Sequence, residues 1–206
     1  GVTRRRHGAD ALLDVIEQLQ GVPVVASLLE TDILPARLSG YDSTDLDAVA
    51  AAGEVIWIGV DALGDKDGRV ALYLAEDVGR LLPPPRIETW APREQAILDT
   101  LAANGASFFS PLHAAVGGGY PAETVTALWR LAWAGLVTND TFHALRAYTQ
   151  AAPARRKARR QESQPFRSRR LAPPSTEGRW TLVAAGGAPR YRAVSRNAVD
   201  QTTWAA

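Results

Sequence analysis

Three blocks of this sequence are written twice, in the same order and at nearly constant separation, and that repeat limits what the chain can fold into. Leu46-Asp-Ala-Val-Ala-Ala-Ala-Gly-Glu-Val55 aligns without a gap with Leu128-Trp-Arg-Leu-Ala-Trp-Ala-Gly-Leu-Val137, 82 residues further on. Gly21-Val-Pro-Val-Val-Ala-Ser-Leu28 matches Gly105-Ala-Ser-Phe-Phe-Ser-Pro-Leu112 at a separation of 84, and Ala11-Leu-Leu-Asp14 matches Ala96-Ile-Leu-Asp99 at 85. The longest block carries its own structural signals. Leu128, Leu131 and Ala132 keep the i, i+3, i+4 spacing of a buried helical face. Gly135 can take the left-handed conformation that ends a helix. Leu136-Val137 then starts an extended segment and Asn139-Asp140 supplies turn chemistry. Two copies of one small unit are expected, which suits a length of 206 residues.

Taken in order, residues 1–8 are a basic lead-in without periodicity. The first unit spans 9–80. Leu12, Leu13, Ile16 and Leu19 mark one face of a first helix, with Asp10, Asp14, Glu17 and Gln18 mostly opposite. Gly21-Val-Pro-Val is a break with a short strand, and Ala26 to Ile33 reads as a second helix ended near Pro35. Ser43 or Thr44 can cap a third helix that runs to Ala52. Glu54 to Val60 reads as a strand, Asp65-Lys-Asp-Gly68 as a hairpin turn and Arg69 to Leu74 as the return strand. Three helices followed by a β-hairpin is the order of a winged helix, whose third helix enters a DNA major groove and whose hairpin is the wing.

Residues 81–91 form a proline-rich linker. The second unit spans 92–150, with helices at Pro92 to Ala103, Pro111 to Val116 and Ala122 to Ala134 and a short strand at Ser107-Phe-Phe. From Thr141 to Tyr148 a return strand competes with a short helix, and the spacing of Phe142, Leu145 and Tyr148 favours the helix. Residues 151–178 lack periodicity and read as a basic linker, disordered in isolation. Arg179-Trp-Thr-Leu-Val-Ala184 reads as the opening strand of a further, incomplete module covering 179–206. The fold class predicted is mainly α with small β-hairpins (α+β), as tandem winged-helix domains.

A net charge of +1 hides an asymmetry. Of 23 basic and 22 acidic residues, Arg155, Arg156, Lys157, Arg159, Arg160, Arg167, Arg169 and Arg170 lie in one stretch with Glu162 as its only acid, so the rest of the chain carries −6. The repeats are acidic and the segment after them is basic. That run is the best candidate for phosphate contact, because arginine forks match phosphate and neutralised phosphates supply most nucleic-acid affinity. The weaker DNA-contact candidates are Lys66 and Arg69 on the first wing, Thr44 on the first unit's third helix, and Thr126 and Arg130 on the second unit's. Asp45, Asp47 and Glu123 on those same helices oppose phosphate contact and argue for packing against sister domains. Trp57, Trp129 and Trp133 could stack bases, although aromatic stripes at helical spacing usually belong to cores.

Catalytic signals are thin. His7, His113 and His143 are isolated, without H-x-x-x-H or H-E-x-x-H spacing, and Ser110 lacks a nucleophile elbow. No phosphate loop occurs, since Gly117-Gly-Gly lacks the following lysine, so no ATP motor and no cofactor are expected. The chain has no cysteine, which excludes disulfides and thiolate metal sites and suits a cytoplasmic protein. No apolar run long enough for a membrane span occurs. With no methionine and Gly1 first, an excised piece of a longer protein is expected.

The stretch Ala127-Leu-Trp-Arg-Leu-Ala-Trp-Ala-Gly-Leu-Val-Thr-Asn-Asp-Thr-Phe-His-Ala-Leu-Arg146 resembles a segment beyond the motor of the large helicase-related (Lhr) proteins, bacterial superfamily 2 DNA helicases. Trp90-Ala-Pro-Arg-Glu-Gln-Ala-Ile-Leu98, Gly53-Glu-Val-Ile-Trp57 with Gly68-Arg-Val-Ala-Leu72, and Gly178-Arg-Trp-Thr-Leu182 fit the same family. The resemblance covers roughly residues 9–183 and departs from Gly186 onward. It implies a non-catalytic DNA-binding and assembly module of a 3′-5′ ATP-dependent helicase that serves DNA repair, cytoplasmic and associated with the nucleoid. The partners it implies are single- or double-stranded DNA, neighbouring helicase domains and a second copy of the chain, with no membrane. Gln18-Leu-Gln20 resembles the Gln-x-Gln motif of winged-helix DNA glycosylases, but it ends a helix here and not a β-barrel strand. Uracil excision is therefore the alternative function, and a purely protein–protein oligomerisation module the third.

Overall fold

The computed structural model describes residues 8–83, 89–150, 172–185 and 188–189. Helix α1 (Gly8–Leu19) buries Ala11, Leu12, Val15 and Ile16 on one stripe, the face that the apolar spacing requires. Strand β1 (Val24–Val25) leads into α2 (Ala26–Leu28), which widens into a π-helical turn over Leu29–Ile33. The Leu34 amide donates to the Leu29 carbonyl at 2.9 Å, and Pro35 has no amide with which to extend the helix.

Helix α3 (Ser43–Ala51) is capped one residue before Ser43 and two before Thr44. Asp42 stands at the N-cap, and its carboxylate accepts from the Thr44 amide at 2.9 Å. This hydrogen bond holds the Asp42 carboxyl below its usual pKa. Strand β2 (Val55–Leu63) returns as β3 (Asp67–Leu74) around a turn at Gly64-Asp65-Lys66, slightly earlier than the expected Asp65–Gly68 turn. The three strands lie in the order β1-β3-β2. A short helix α4 (Val78–Leu81) follows.

The second half repeats this order. Helix α5 (Pro92–Asn104), strand β4 (Ser107–Phe108), helix α6 (Phe109–Ala115), helix α7 (Pro121–Trp133) and strand β5 (Val137–Asn139) succeed one another. The third strand arrives late. Thr141 to Tyr148 resolves as helix α8 (Phe142–Thr149), and the strand that returns is β6 (Arg179–Leu182), after a 3-10 turn at Pro174–Thr176. It pairs antiparallel with both neighbours, Phe108 opposite Arg179 and Val137 opposite Leu182, giving the order β4-β6-β5. Arg179-Trp-Thr-Leu182 therefore completes the second sheet instead of starting a sheet of its own. A small hairpin, β7 (Ala184–Ala185) with β8 (Ala188–Pro189), follows it.

Both copies of the long repeat close their third helix in the same way. Gly53 and Gly135 sit at φ 77° and 70°. Glu54 donates to the Val49 carbonyl and Leu136 to the Leu131 carbonyl, at 3.0 and 3.1 Å. These bonds satisfy carbonyls that a helix end otherwise leaves open.

One apolar core runs through both halves, from Leu12, Ile16 and Leu46 to Ile97, Leu128 and Phe142. Its centre is aromatic. Trp57 of β2 stacks on Trp129 of α7, with ring centroids 6.0 Å apart and planes 17° from parallel, and Trp180 of β6 meets both edge-on. Each indole N–H has a carbonyl acceptor: Thr141 for Trp57, Ser175 for Trp129 and Thr176 for Trp180. Buried aromatic rings with satisfied polar edges are expected of a core, and base stacking on Trp57, Trp129 or Trp133 is ruled out by their exposures of 0, 1 and 5%. The backbones also approach closely at this seam. A Cβ on Gly59 of β2 would overlap the Ala132 carbonyl of α7.

Candidate nucleic-acid interface

The third helix of the first half is partly occupied from within the chain. Helix α8 packs on α3, and Arg146 of α8 reaches Asp47 through Nη1 and Nη2 at 2.9 and 2.8 Å. The same guanidinium pairs with Glu30, which also accepts from the Tyr41 hydroxyl. Burial alone would lower the Arg146 pKa, but the carboxylates of Asp47 and Glu30 raise it well above its usual value. Burial and the Glu30 hydrogen bond drive the Tyr41 pKa upward as well. Thr44 remains exposed at the start of α3, beside the Asp42 cap.

The first wing is fastened too. Tyr148 of α8 donates its hydroxyl to the Asp65 carbonyl at 3.0 Å, next to exposed Lys66 in the turn. Arg69 faces Asp61 across the hairpin, with Nε 2.8 Å from Oδ1, and this hydrogen bond raises the Arg69 pKa.

In the second half, α7 buries Thr124, Ala127, Leu128, Trp129, Leu131, Ala132 and Trp133, which leaves a narrow exposed stripe. Thr126 lies on it and turns its hydroxyl back to the Ala122 carbonyl at 2.9 Å. Arg130 lies there as well, with Nη1 2.6 Å from Glu94 Oε1. Glu94 is buried, and its other oxygen accepts from the Ala91 amide at 2.8 Å. At the opposite end of α7, Arg93 donates to the Gly118 carbonyl and the Thr124 hydroxyl and pairs with Glu123.

The expected contacts are thus dispersed, with one exception. Arg130 and Asp61, the partner of Arg69, line a single cleft of about 220 Å³ together with Val60, Ala62, Trp90, Trp133 and Ala134. The run Arg155, Arg156, Lys157, Arg159, Arg160, Arg167, Arg169 and Arg170 lies outside the described residues. Its two ends join α8 and the 3-10 turn before β6. Arg146 and Trp90 are singled out by no local sequence signal, although both stand inside the stretches that carry the family resemblance.

Among the described residues no group of His, Cys, Asp and Glu could hold a metal ion. His113 meets the Thr124 hydroxyl at 2.8 Å and His143 meets Glu177 at 3.2 Å. Gln20 uses both ends of its amide structurally, donating to Asp77 and accepting from the Leu74 amide. No described helix is long and apolar enough to cross a membrane.

The family described as "Large helicase-related protein, winged-helix domain" matches residues 1–75. The "Lhr helicase/ probable uracil glycosylase" of Mycolicibacterium smegmatis is 38% identical over 189 residues, 86% of this chain and 12% of that protein. The "Lhr helicase/uracil glycosylase" of Escherichia coli is 34% identical over 216 residues, 95% of this chain and 14% of that protein. The chain belongs to the Lhr family. It matches the carboxy-terminal Lhr region and spans about one-eighth of the length of these relatives. In this Lhr chain the winged-helix match ends at the close of β3, so the first half is a helicase-associated winged-helix module.

Proposed function

We propose that this Lhr segment is a non-catalytic module of an ATP-dependent DNA helicase acting in DNA repair, which binds DNA and packs against neighbouring domains. It consists of two winged-helix units in tandem. The first covers residues 9–80. The second begins at 92 and takes β6 as its returning wing strand, with the basic stretch inserted in that wing. The repeated strand order supports this division. The observation that carries the DNA reading is the charge split, in which eight cations fall in one stretch and the rest of the chain is acidic. Phosphate neutralisation then falls to Arg155–Arg170, with Lys66, Arg69, Thr44, Thr126 and Arg130 as secondary contacts. Helices α3 and α7 serve mainly as packing surfaces, because α8 covers one and the core takes most of the other.

Fluorescence anisotropy with single- and double-stranded DNA over a salt series tests this reading, on the chain and on one lacking residues 155–170. Counterion release predicts affinity that falls by orders of magnitude between low and moderate salt and is lost with the deletion. Binding that survives the deletion would move the interface to the helices or the first wing. Absence of binding by either would favour assembly with other domains or a second copy.

The names of both relatives favour a second reading, participation in uracil excision. Release of uracil from DNA by this chain alone, abolished by neutralising one carboxylate in a cleft, would establish it.

A further inference from the structure

The cleft between β2 and the last turn of α7 brings a partly covered tryptophan together with an exposed arginine. Its lining comes from three places: Val60, Asp61 and Ala62 on β2, Arg130, Trp133 and Ala134 on and just beyond α7, and Trp90 from the segment before α5. Its volume of about 220 Å³ lies below the range of sites for drug-sized ligands and suits one flat ring system. Trp133 is almost wholly buried, while Trp90 packs against the edge of the core and is only partly covered, so Trp90 is the ring in this cleft that keeps exposed area. Arg130 lines the cleft, and Arg69 pairs with Asp61, another of its lining residues. The Arg130 side chain is 61% exposed although it pairs with Glu94, and that of Arg69 is 44% exposed although it pairs with Asp61. A guanidinium carries several N–H donors in a fork, so each can hold its carboxylate and still meet a phosphate oxygen.

We propose that this cleft takes one unpaired base of single-stranded DNA, stacked on Trp90, with Arg130 and Arg69 on the flanking phosphates. The inference rests on the reading of this chain as a DNA-binding module and gives that reading a strand preference. A base within a duplex has both faces covered by its neighbours and cannot enter such a cleft without leaving the stack. An unpaired base offers its face to any aromatic ring, and an aromatic platform beside cations is how single strands are held without sequence preference. The site lies at the junction of the two halves, on the same hairpin as Lys66.

The test uses the full chain and a single-stranded oligonucleotide carrying 2-aminopurine, whose fluorescence falls when the base stacks on an aromatic ring. Wild-type chain, Trp90→Leu and Trp90→Phe are compared, and unfolding curves verify that each is folded. Quenching on binding is expected for wild type and for Trp90→Phe. Trp90→Leu, which keeps apolar volume without an aromatic face, is expected to lose the quenching and roughly tenfold in single-strand affinity while duplex affinity is unchanged. Equal quenching and equal affinity in Trp90→Leu would overturn the cleft and leave DNA binding by other residues intact. Failure of the wild-type chain to bind any DNA would overturn both the cleft and the reading on which it rests.

Discussion

Arg146 ties the second half of the chain to the first, and its removal has a calculable consequence. The side chains of Arg146 and Glu30 are 19 and 16% exposed, so most of both charges has left water. Deleting one partner of a buried ion pair costs about 3–5 kcal/mol, because the remaining charge is stranded. Two corrections reduce that figure. Glu30 keeps the Tyr41 hydroxyl as a donor, and the Asp47 arm is 41% exposed on the carboxylate side and adds little after screening. Arg146→Leu should therefore cost about 3 kcal/mol, or on the order of 10 °C in Tm for a chain of this size. Glu30→Gln should cost less, since Arg146 retains Asp47. The double variant should lose less than the sum of the singles, with a coupling of about 1–2 kcal/mol. Urea unfolding followed by far-ultraviolet circular dichroism and by tryptophan fluorescence measures all three. Because the Trp57–Trp129–Trp180 cluster spans both halves, the two probes should report one coincident transition. A loss below about 0.5 kcal/mol in Arg146→Leu would refute the reasoning, as would two separated transitions in the wild-type chain.

Two further outcomes follow from the same seam. Gly59→Ala places a Cβ against the Ala132 carbonyl, where backbone on both sides leaves nothing soft to yield; it should cost about 3 kcal/mol of overpacking, readable as a lowered urea midpoint. Tyr41 has a folded-state pKa raised by burial and by its hydrogen bond to Glu30. A raised pKa gives stability that is complete below the ordinary tyrosine value of about 10 and fades as pH climbs toward the folded value. Tyr41→Phe should thus be the less stable protein at neutral pH and should close the gap above about pH 10, in denaturation curves taken across that range.

Much of the fold was legible because its signals are local. The helix stop at Gly135, the hairpin after Gly53 and the α8 spacing of Phe142 and Leu145 each depend on residues a few positions apart, and the structure has them as read. The cap at Asp42 was also local, but it competed with Ser43, an equally good capping residue, and with Thr44, a somewhat weaker one. The role of β6 was not legible. A hairpin is announced by a short turn between two strands, whereas β5 and β6 are separated by a helix, a basic stretch and a 3-10 turn. Only the repeat itself pointed to a missing strand, since the first copy has three and the second copy offered two nearby.

The candidate interface was least legible, for a related reason. Exposure on an isolated helix is a property of that helix, and periodicity correctly put Thr44, Thr126 and Arg130 on open faces. Whether a face is available to DNA depends on what the rest of the chain lays over it. Arg146 comes from 99 residues away to take Asp47, and Glu94 comes from 36 residues away to take Arg130. The acidity of these helices was the one hint present in sequence. Carboxylates such as Asp47 and Glu123 would be repelled by phosphate, yet they satisfy the chain's own arginines. An acidic third helix in a winged-helix unit is, on this argument, a surface shaped for an arginine of its own protein. Among the described residues, Asp47 and Glu123 thus each meet an arginine brought from another helix, Arg146 of α8 and Arg93 of α5.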